Sequence, residues 1–142
     1  MKKILVATHA KFAEGICSAI NLILGEQKNL HYINAYVDET PFNEKLESFL
    51  TEEISGEDKL IIFTDLFGGS VNQTSLRYLT RENIYLISGV NLPVLLEAIM
   101  LDDDSVNEAK LKVLVNSCKE QIIFANDEVK NLNNDSDDDF DI

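Results

Sequence analysis

The chain is organised around the stretch Ile4-Leu5-Val6-Ala7-Thr8-His9-Ala10-Lys11-Phe12-Ala13-Glu14-Gly15. Its first residues, 4–8, form a short and largely apolar run that is typical of a buried strand. An amphipathic pattern begins soon after His9, so the strand passes almost directly into a helix. His9 would then lie in a loop at the carboxyl edge of a parallel sheet, where such folds place ligand sites. A histidine can also simply fill a turn, and this stretch alone leaves both interpretations open.

The rest of the chain alternates between strand and helix patterns. Strands are predicted at residues 30–37, 59–64, 84–88 and 121–125, and helices at 12–24, 41–54, 70–80, 93–101 and 106–119. This order predicts a mostly parallel sheet flanked by helices. With right-handed crossovers, helices cover both faces only if the winding reverses, most simply with strand order 2-1-3-4. We therefore predict a doubly wound α/β domain in which the first and third strands are neighbours.

The composition is that of a globular domain without metal or cofactor. The 142 residues are 45% hydrophobic and 26% charged, which is ordinary for a single domain. No apolar run approaches the roughly 20 residues that a membrane helix needs. Cys17 and Cys118 lack metal-ligand spacing, which argues against zinc or a disulfide framework and favours a reducing cytoplasm. The acidic run at 102–104 is interpreted as a loop, with Ser105 and Glu108 forming a capping box for the next helix.

The formal net charge of −13 is unevenly distributed. Residues 127–142 hold seven acidic side chains against Lys130, a net charge of −6, which leaves −7 for residues 1–126. We interpret 1–126 as the domain and 127–142 as an acidic tail that is too polar to pack and is disordered. Both parts would repel nucleic acid and an anionic membrane surface, whereas a basic protein partner fits.

A second candidate group follows the third strand. Asp65 ends that apolar strand, and the predicted strand order brings it next to His9. A carboxylate beside an imidazole fixes the ring's tautomer and orientation and stabilises its cationic form. The free ring nitrogen of His9 could then act as a nucleophile.

The turn after Asp65 supplies features suited to an anion. Gly68 and Gly69 allow close backbone approach, the following helix start favours negative charge, and Ser70 and Thr8 carry hydroxyls for phosphoryl oxygens. Together with a nucleophilic imidazole, these features suit phosphoryl transfer to nitrogen. The turn and the aspartate can also be no more than helix caps, and a flavodoxin-like ligand-binding module is the main alternative. No GxxxxGK[ST], GxGxxG or GxSxG pattern supports a nucleotide-phosphate loop or a serine nucleophile.

Four blocks carry a resemblance to a known family. They are Thr8-His9-Ala10 with Ala13-Glu14-Gly15, Leu22-Ile23-Leu24-Gly25-Glu26, Thr64-Asp65-Leu66-Phe67-Gly68-Gly69-Ser70-Val71-Asn72, and Ser88-Gly89-Val90-Asn91-Leu92-Pro93-Val94-Leu95-Leu96-Glu97. In this order and spacing, across residues 2–125, the chain resembles the enzyme IIA component of the mannose family of the bacterial phosphoenolpyruvate-dependent sugar phosphotransferase system. That family comprises the mannose, fructose, sorbose and N-acetylgalactosamine types.

The resemblance implies a cytoplasmic phosphocarrier. His9 would take a phosphoryl group, on Nε2, from the phosphohistidine of the small protein HPr and pass it to the enzyme IIB component for sugar uptake. Asp65 matches the acid beside that histidine, and Ser70 matches the serine that faces the phosphoryl group. Gly68 and Gly69 would shape the loop.

Further implications concern the rim of the site and the assembly. The loop 89–93 matches one at the same sheet edge, with Asn91 in the wall of the site. Val71 stands where the family commonly has proline, and Phe67 where it frequently has tryptophan; both departures bear on loop stiffness and partner preference. The resemblance also implies a homodimer in which an antiparallel C-terminal strand, residues 121–125, is exchanged. A phosphocarrier of a dihydroxyacetone kinase system, a regulatory module and a pure anion-binding module are the alternatives.

Overall fold

The centre of the chain is a parallel four-stranded sheet. In the computed structural model, which describes residues 1–135, its strands are β1 (Lys2–His9), β2 (Leu30–Ala35), β3 (Lys59–Thr64) and β4 (Ile84–Ser88). The helices are α1 (Phe12–Leu24), α2 (Phe42–Glu53), α3 (Ser70–Leu76), α4 (Leu92–Met100), α5 (Glu108–Cys118) and α6 (Ala125–Asp135). The strand order is β2-β1-β3-β4. The predicted α/β class and strand order are confirmed.

Alternate side chains of the central strands supply two separate cores. Ile4 and Val6 of β1 pack on the face that α1, α4 and α5 cover. Leu5 and Ala7, from the same strand, pack on the opposite face with α2 and α3. Complete burial of one such aliphatic side chain contributes about 1.5–3 kcal/mol. Burial on both faces explains why β1 and β3 are almost continuously apolar in sequence.

The register of the sheet brings three strand ends to one edge. Ala7 pairs with Thr64 across β1 and β3, and His9 pairs with Ala35 across β1 and β2. The order of the strands reverses between β1 and β3, so α1 and α3 leave toward opposite faces of the sheet. The loops after β1 and β3 therefore lie at the carboxyl edge of the sheet, which is the usual ligand position in open α/β folds.

Several predicted boundaries differ from the structure at helix ends. The bounds of α1, β3 and β4 match the prediction, whereas α3 ends at Leu76 and not near residue 80. The predicted capping box at Ser105 is wrong, because Ser105 belongs to a short 3-10 turn, Asp103–Ser105. Asn107 caps α5 instead, its side-chain oxygen accepting the Lys110 N–H at 2.9 Å. Either side chain could satisfy an orphan N–H group of the first turn, so sequence alone did not separate them.

The C-terminal region departs most from the prediction. Residues 121–125 do not form a strand in the described chain: a 3-10 turn, Lys119–Gln121, is followed by three irregular residues and then by α6. A strand requires a hydrogen-bonded neighbour, and none of the described strands lies beside this segment. Residues 127–135 of the tail predicted to be disordered belong to α6, whose acidic first turn, Asp127 and Glu128, suits the positive end of a helix. Residues 136–142 of that prediction lie outside the described residues.

Within residues 1–135, no helix combines the length and apolarity needed to cross a membrane.

Candidate active site

His9 and Asp65 meet at the switch point of the sheet. The backbone N–H of His9 donates to Asp65 Oδ2 at 3.0 Å, and His9 Nδ1 lies 2.9 Å from the same oxygen. One carboxylate oxygen thus fixes both the main chain and the ring of the histidine. The contact arises because β1 and β3 are neighbours and each residue stands at the carboxyl end of its strand. The predicted pairing of these two residues is therefore present in the fold.

The electrostatics of this contact assign the ring nitrogens their roles. Burial raises the pKa of Asp65, but hydrogen bonds from the His9 N–H and ring and attraction to the imidazole outweigh it, so the pKa is lowered overall. An ionised carboxylate only accepts hydrogen bonds, so Nδ1 of His9 carries the proton. Nε2 then holds the free lone pair and has no hydrogen-bond partner among the described residues. The His9 side chain is 43% exposed, which leaves Nε2 open to a reactant.

The second carboxylate oxygen of Asp65 is in a different situation. Oδ1 is buried and has no hydrogen-bond partner in the described part of the chain. All of the observed hydrogen bonding of this carboxylate to His9 passes through Oδ2. Buried polar atoms without partners are uncommon, and they occur preferentially at functional sites.

The loop from Asp65 to Ser70 approaches the imidazole closely because it contains glycine. A Cβ atom added at Gly69 would stand 3.6 Å from His9 Cε1 and 3.3 Å from the carbonyl oxygen of Leu66. Gly68 has a φ of +81°, a left-handed conformation that side chains disfavour. The two predicted glycines therefore have distinct roles, one in the turn and one in the approach to the ring.

Asn72 holds this loop to the ends of two strands, a role that sequence reasoning missed. Its Oδ1 accepts the Gly68 N–H at 3.0 Å, and its Nδ2 donates to Thr64 Oγ1 at 3.1 Å and to Ser88 Oγ. The side chain is almost completely buried. In sequence, Asn72 is only a polar residue in a helix, because its partners come from β3 and β4.

Tyr36 is the second residue that sequence reasoning missed. It follows β2 with a φ of +64°, and its ring centroid lies 5.4 Å from that of His9. Its hydroxyl lies 2.5 Å from Ser70 Oγ. Ser70 is therefore connected to the imidazole region through Tyr36. Tyr36 lies within the strand predicted at residues 30–37, and an aromatic residue there carries no signal of this contact, which depends on how β1 and β2 are paired.

Two predicted site residues use their polar atoms elsewhere. Thr8 is completely buried; its hydroxyl accepts the Ala13 N–H at 2.7 Å and donates to the His9 carbonyl at 3.2 Å. Asn91 caps α4 by accepting the Val94 N–H at 2.9 Å, and it donates to the Cys118 carbonyl at 3.3 Å. Both side chains therefore stabilise the scaffold of the site, because unpaired N–H groups at the helix starts compete for the same oxygens.

The loop between Asp65 and Ser70 exposes two large apolar side chains. Leu66 is 61% exposed and Phe67 is 78% exposed, and both belong to the loop that contains Gly69. Large apolar side chains that are grouped and exposed next to a reactive centre are typical of a surface that contacts another protein.

Comparison with known proteins relates the chain to components of phosphotransferase systems. A family model described as PTS system fructose IIA component matches residues 3–115. The PTS system mannose-specific EIIAB component of Escherichia coli K12 is 30% identical over 114 residues, which is 78% of this chain. The chain spans only 35% of the length of that curated relative. The PTS system fructose-specific EIIA component of Bacillus subtilis 168 is 26% identical over 122 residues, covering 84% of this chain and 80% of the relative.

Solved structures are similar across nearly the whole chain. A phosphoenolpyruvate-dependent sugar phosphotransferase system permease from Klebsiella pneumoniae superposes with a TM-score of 0.84 at 31% identity, covering 90% of this chain and 93% of that one. The PTS IIA protein associated with the fucose utilization operon of Streptococcus pneumoniae gives a TM-score of 0.78 at 25% identity, covering 90% and 96%.

Proposed function

Because the chain belongs to the family of the PTS system fructose IIA component, we propose that it is a phosphocarrier that accepts a phosphoryl group on Nε2 of His9. The donor is the phosphohistidine of HPr, and the acceptor is the enzyme IIB component of a sugar phosphotransferase system. The relay operates in the cytoplasm.

The contact between His9 Nδ1 and Asp65 Oδ2, 2.9 Å long, is the observation that carries this proposal. It fixes the proton on Nδ1 and directs the lone pair to Nε2, which is the state that a nucleophilic imidazole needs. The same carboxylate accepts the backbone N–H of His9, which also holds the main chain of the histidine in place. A histidine held in one tautomer at an exposed sheet edge is suited to repeated transfer between two proteins.

In the transfer step, one N–P bond forms and one N–P bond breaks. The Nε2 lone pair of His9 attacks the phosphorus, an N–P bond forms on His9, and the N–P bond of the donor imidazole breaks with its electron pair returning to that ring. Nδ1 of His9 keeps its proton throughout. The positive charge that develops on the His9 ring is stabilised by the ionised Asp65. Transfer to the acceptor reverses these events with the same groups.

The loop after β3 serves the phosphoryl oxygens. Gly69 brings the backbone next to His9, and Ser70 follows it with a hydroxyl that can donate to an oxygen. Gly68 and Asn72 hold the loop in position. In this proposal, Thr8 and Asn91 stabilise the scaffold of the site at the starts of α1 and α4 and do not bind the phosphoryl group.

The proposed partners suit the surface around His9. The formal net charge of −13 favours rapid association with a basic protein surface through electrostatic steering. Leu66 and Phe67, in the loop that follows Asp65, offer apolar contact area. Short-lived complexes of this kind need little buried area, since each partner must leave after one transfer.

We further propose that the chain forms a homodimer in which residues 121–125 pair with the sheet of the partner. Ile122 is 86% exposed and Phe124 is 67% exposed in the single chain, although both are strongly apolar. β4 is an edge strand of the described sheet, so its outer hydrogen-bonding groups can accept another strand. Pairing this segment with the β4 edge of a second copy would cover both features at once.

Intact-mass measurement after incubation with phosphoenolpyruvate, enzyme I and HPr tests the phosphocarrier function. We expect one acid-labile phosphoryl adduct in the wild type and none in His9→Ala. The matched control is His31→Ala, since His31 is the other histidine of the chain and packs edge-on against Phe49, away from the site. An adduct that persists in His9→Ala, or no adduct in the wild type with active partners, contradicts the proposal.

A further inference from the structure

We propose that Tyr36 is a positioning residue for phosphoryl transfer, which acts by orienting the hydroxyl of Ser70 toward the group on His9. The proposal rests on the phosphocarrier function above. It assigns to Tyr36 a contribution to the transfer step and not to partner binding or folding.

Two residues at this edge of the sheet, one after β1 and one after β2, have an unusual backbone conformation. Among the described residues, Ala10 and Tyr36 are the two with a side chain and a positive φ, +51° and +64°. They directly follow His9 and Ala35, which are paired across β1 and β2, and the Ala10 N–H donates to the Ala35 carbonyl at 2.8 Å. Left-handed backbone is unfavourable for residues with a Cβ atom, and it concentrates at functional sites. These paired turns place the side chains of His9 and Tyr36 together.

The Tyr36 side chain connects the end of β2 to the start of α3. Its ring is tilted by 36° against the imidazole at a centroid distance of 5.4 Å, and its hydroxyl reaches Ser70 Oγ at 2.5 Å. Ser70 directly follows Gly69, where an added Cβ atom would stand 3.6 Å from His9 Cε1. Tyr36 is thus placed between the reactive ring and the hydroxyl that would serve the phosphoryl group.

The contact between the two hydroxyls allows either of them to donate. The proposal assigns the donor role to the Tyr36 phenol, which is the more acidic group, and the acceptor role to Ser70 Oγ. The serine proton is then not used within the pair and is available for a phosphoryl oxygen. Accepting one hydrogen bond also strengthens the bond that the serine donates. Without the phenol, the Ser70 hydroxyl would have no fixed orientation. No proton is transferred between Tyr36 and Ser70 in this arrangement.

Tyr36→Phe isolates the hydroxyl, because it keeps the ring against His9. We expect transfer from phospho-HPr, followed by quenched-flow under saturating donor, to slow roughly three- to tenfold, as loss of one neutral hydrogen bond in the transition state would give. The half-saturating donor concentration should not change. The matched control is Tyr32→Phe, an exposed tyrosine of β2, the strand that Tyr36 follows, and this variant should transfer at the wild-type rate.

A double-mutant cycle with Ser70→Ala tests whether Tyr36 acts through Ser70. We expect Tyr36→Phe to have no further effect once Ser70→Ala is present. Independent, multiplicative effects would overturn the proposal, as would a wild-type rate in Tyr36→Phe while the wild type and Tyr32→Phe are phosphorylated normally. A wild type that takes no phosphoryl group from phospho-HPr would instead refute the phosphocarrier function itself, and the positioning role with it.

Discussion

Nδ1 of His9 and Oδ2 of Asp65 lie 2.9 Å apart, although 56 positions separate the two residues in sequence. The same oxygen accepts the His9 backbone N–H at 3.0 Å. The imidazole is therefore oriented by one atom that also fixes its main chain.

Replacement of Asp65 by asparagine should slow phosphoryl transfer about 10- to 100-fold, because a charge-assisted hydrogen bond of roughly 1.5–3 kcal/mol is lost. An amide can also offer its NH₂ group to Nδ1 and favour the tautomer with the proton on Nε2. Single-turnover transfer from phospho-HPr measures the effect. Asp104→Asn, an exposed aspartate in the turn before α5, is the matched control. Equal rates in both variants would remove Asp65 from the mechanism.

Lowering the pH should reveal how much Asp65 contributes to the free energy of unfolding. Its pKa is lowered from the ordinary value of 3.8, so the group stabilises the fold above its unfolded-state pKa and loses that contribution as pH falls through the lower folded-state pKa. Between about pH 5 and pH 2, the free energy of unfolding should therefore decline more steeply in the wild type than in Asp65→Asn. Urea titrations at several pH values measure this difference. Parallel curves for the two proteins would contradict the assignment.

Gly69→Ala should slow transfer about three- to tenfold while the protein still folds, since reacting groups tolerate little displacement. The new methyl group would meet the Leu66 carbonyl oxygen at 3.3 Å, so the loop must shift by a few tenths of an ångström beside His9. Gly56→Ala is the control, because nothing lies within 4 Å of a Cβ atom at that position. Transfer rates and circular dichroism spectra of the two variants check the prediction. An unchanged transfer rate in Gly69→Ala would show that the loop accommodates the methyl group without a shift.

Asn72→Ala should lower the free energy of unfolding by roughly 2–3 kcal/mol, since it leaves buried donors and acceptors without partners. The side chain is 1% exposed and connects Gly68, Thr64 and Ser88. Chemical denaturation measures the loss. Asn116→Ala, at an exposed position of α5, should change stability by less than about 0.5 kcal/mol. Similar losses in both variants would mean that the buried network contributes little.

The proposed dimer predicts a mass in solution of twice 16.0 kDa. Phe124→Asp should dissociate it, because a charge would enter the contact between the C-terminal segment and the partner's sheet. Sedimentation equilibrium measures the mass. Leu22→Asp alters an equally apolar residue that is 87% exposed near the end of α1, and it should leave the dimer intact. A monomeric wild type at micromolar concentration would exclude the exchanged strand.

Most of the fold followed from local patterns in the sequence. The bounds of α1, β3 and β4 were predictable because apolar periodicity and breaker residues coincide there. The segment 121–125 was different: its apolar residues favour a strand, but a strand forms only where another strand can pair with it. Cap choice at α5 was equally undetermined, since Ser105 and Asn107 are both good cap residues.

The residues of the candidate site were likewise predictable only in part. His9, Asp65 and the glycine turn were found from residue type and strand order alone. Tyr36 and Asn72 were missed, because each acts through partners contributed by distant strands. Thr8 was assigned to the phosphoryl group on residue type and Asn91 through the family resemblance; the folded chain shows in addition that both accept N–H groups at helix starts.

The sequence by itself thus determined the α/β class, the strand order and the two residues at the switch point, because periodicity and the handedness of crossovers are local or topological rules. The tertiary structure decided which polar atoms remain free for chemistry. Hydrogen bonds are satisfied by whichever group the register of the sheet brings within reach, so the roles of Tyr36, Asn72, Thr8 and Asn91 became visible only after β1, β2 and β3 were aligned.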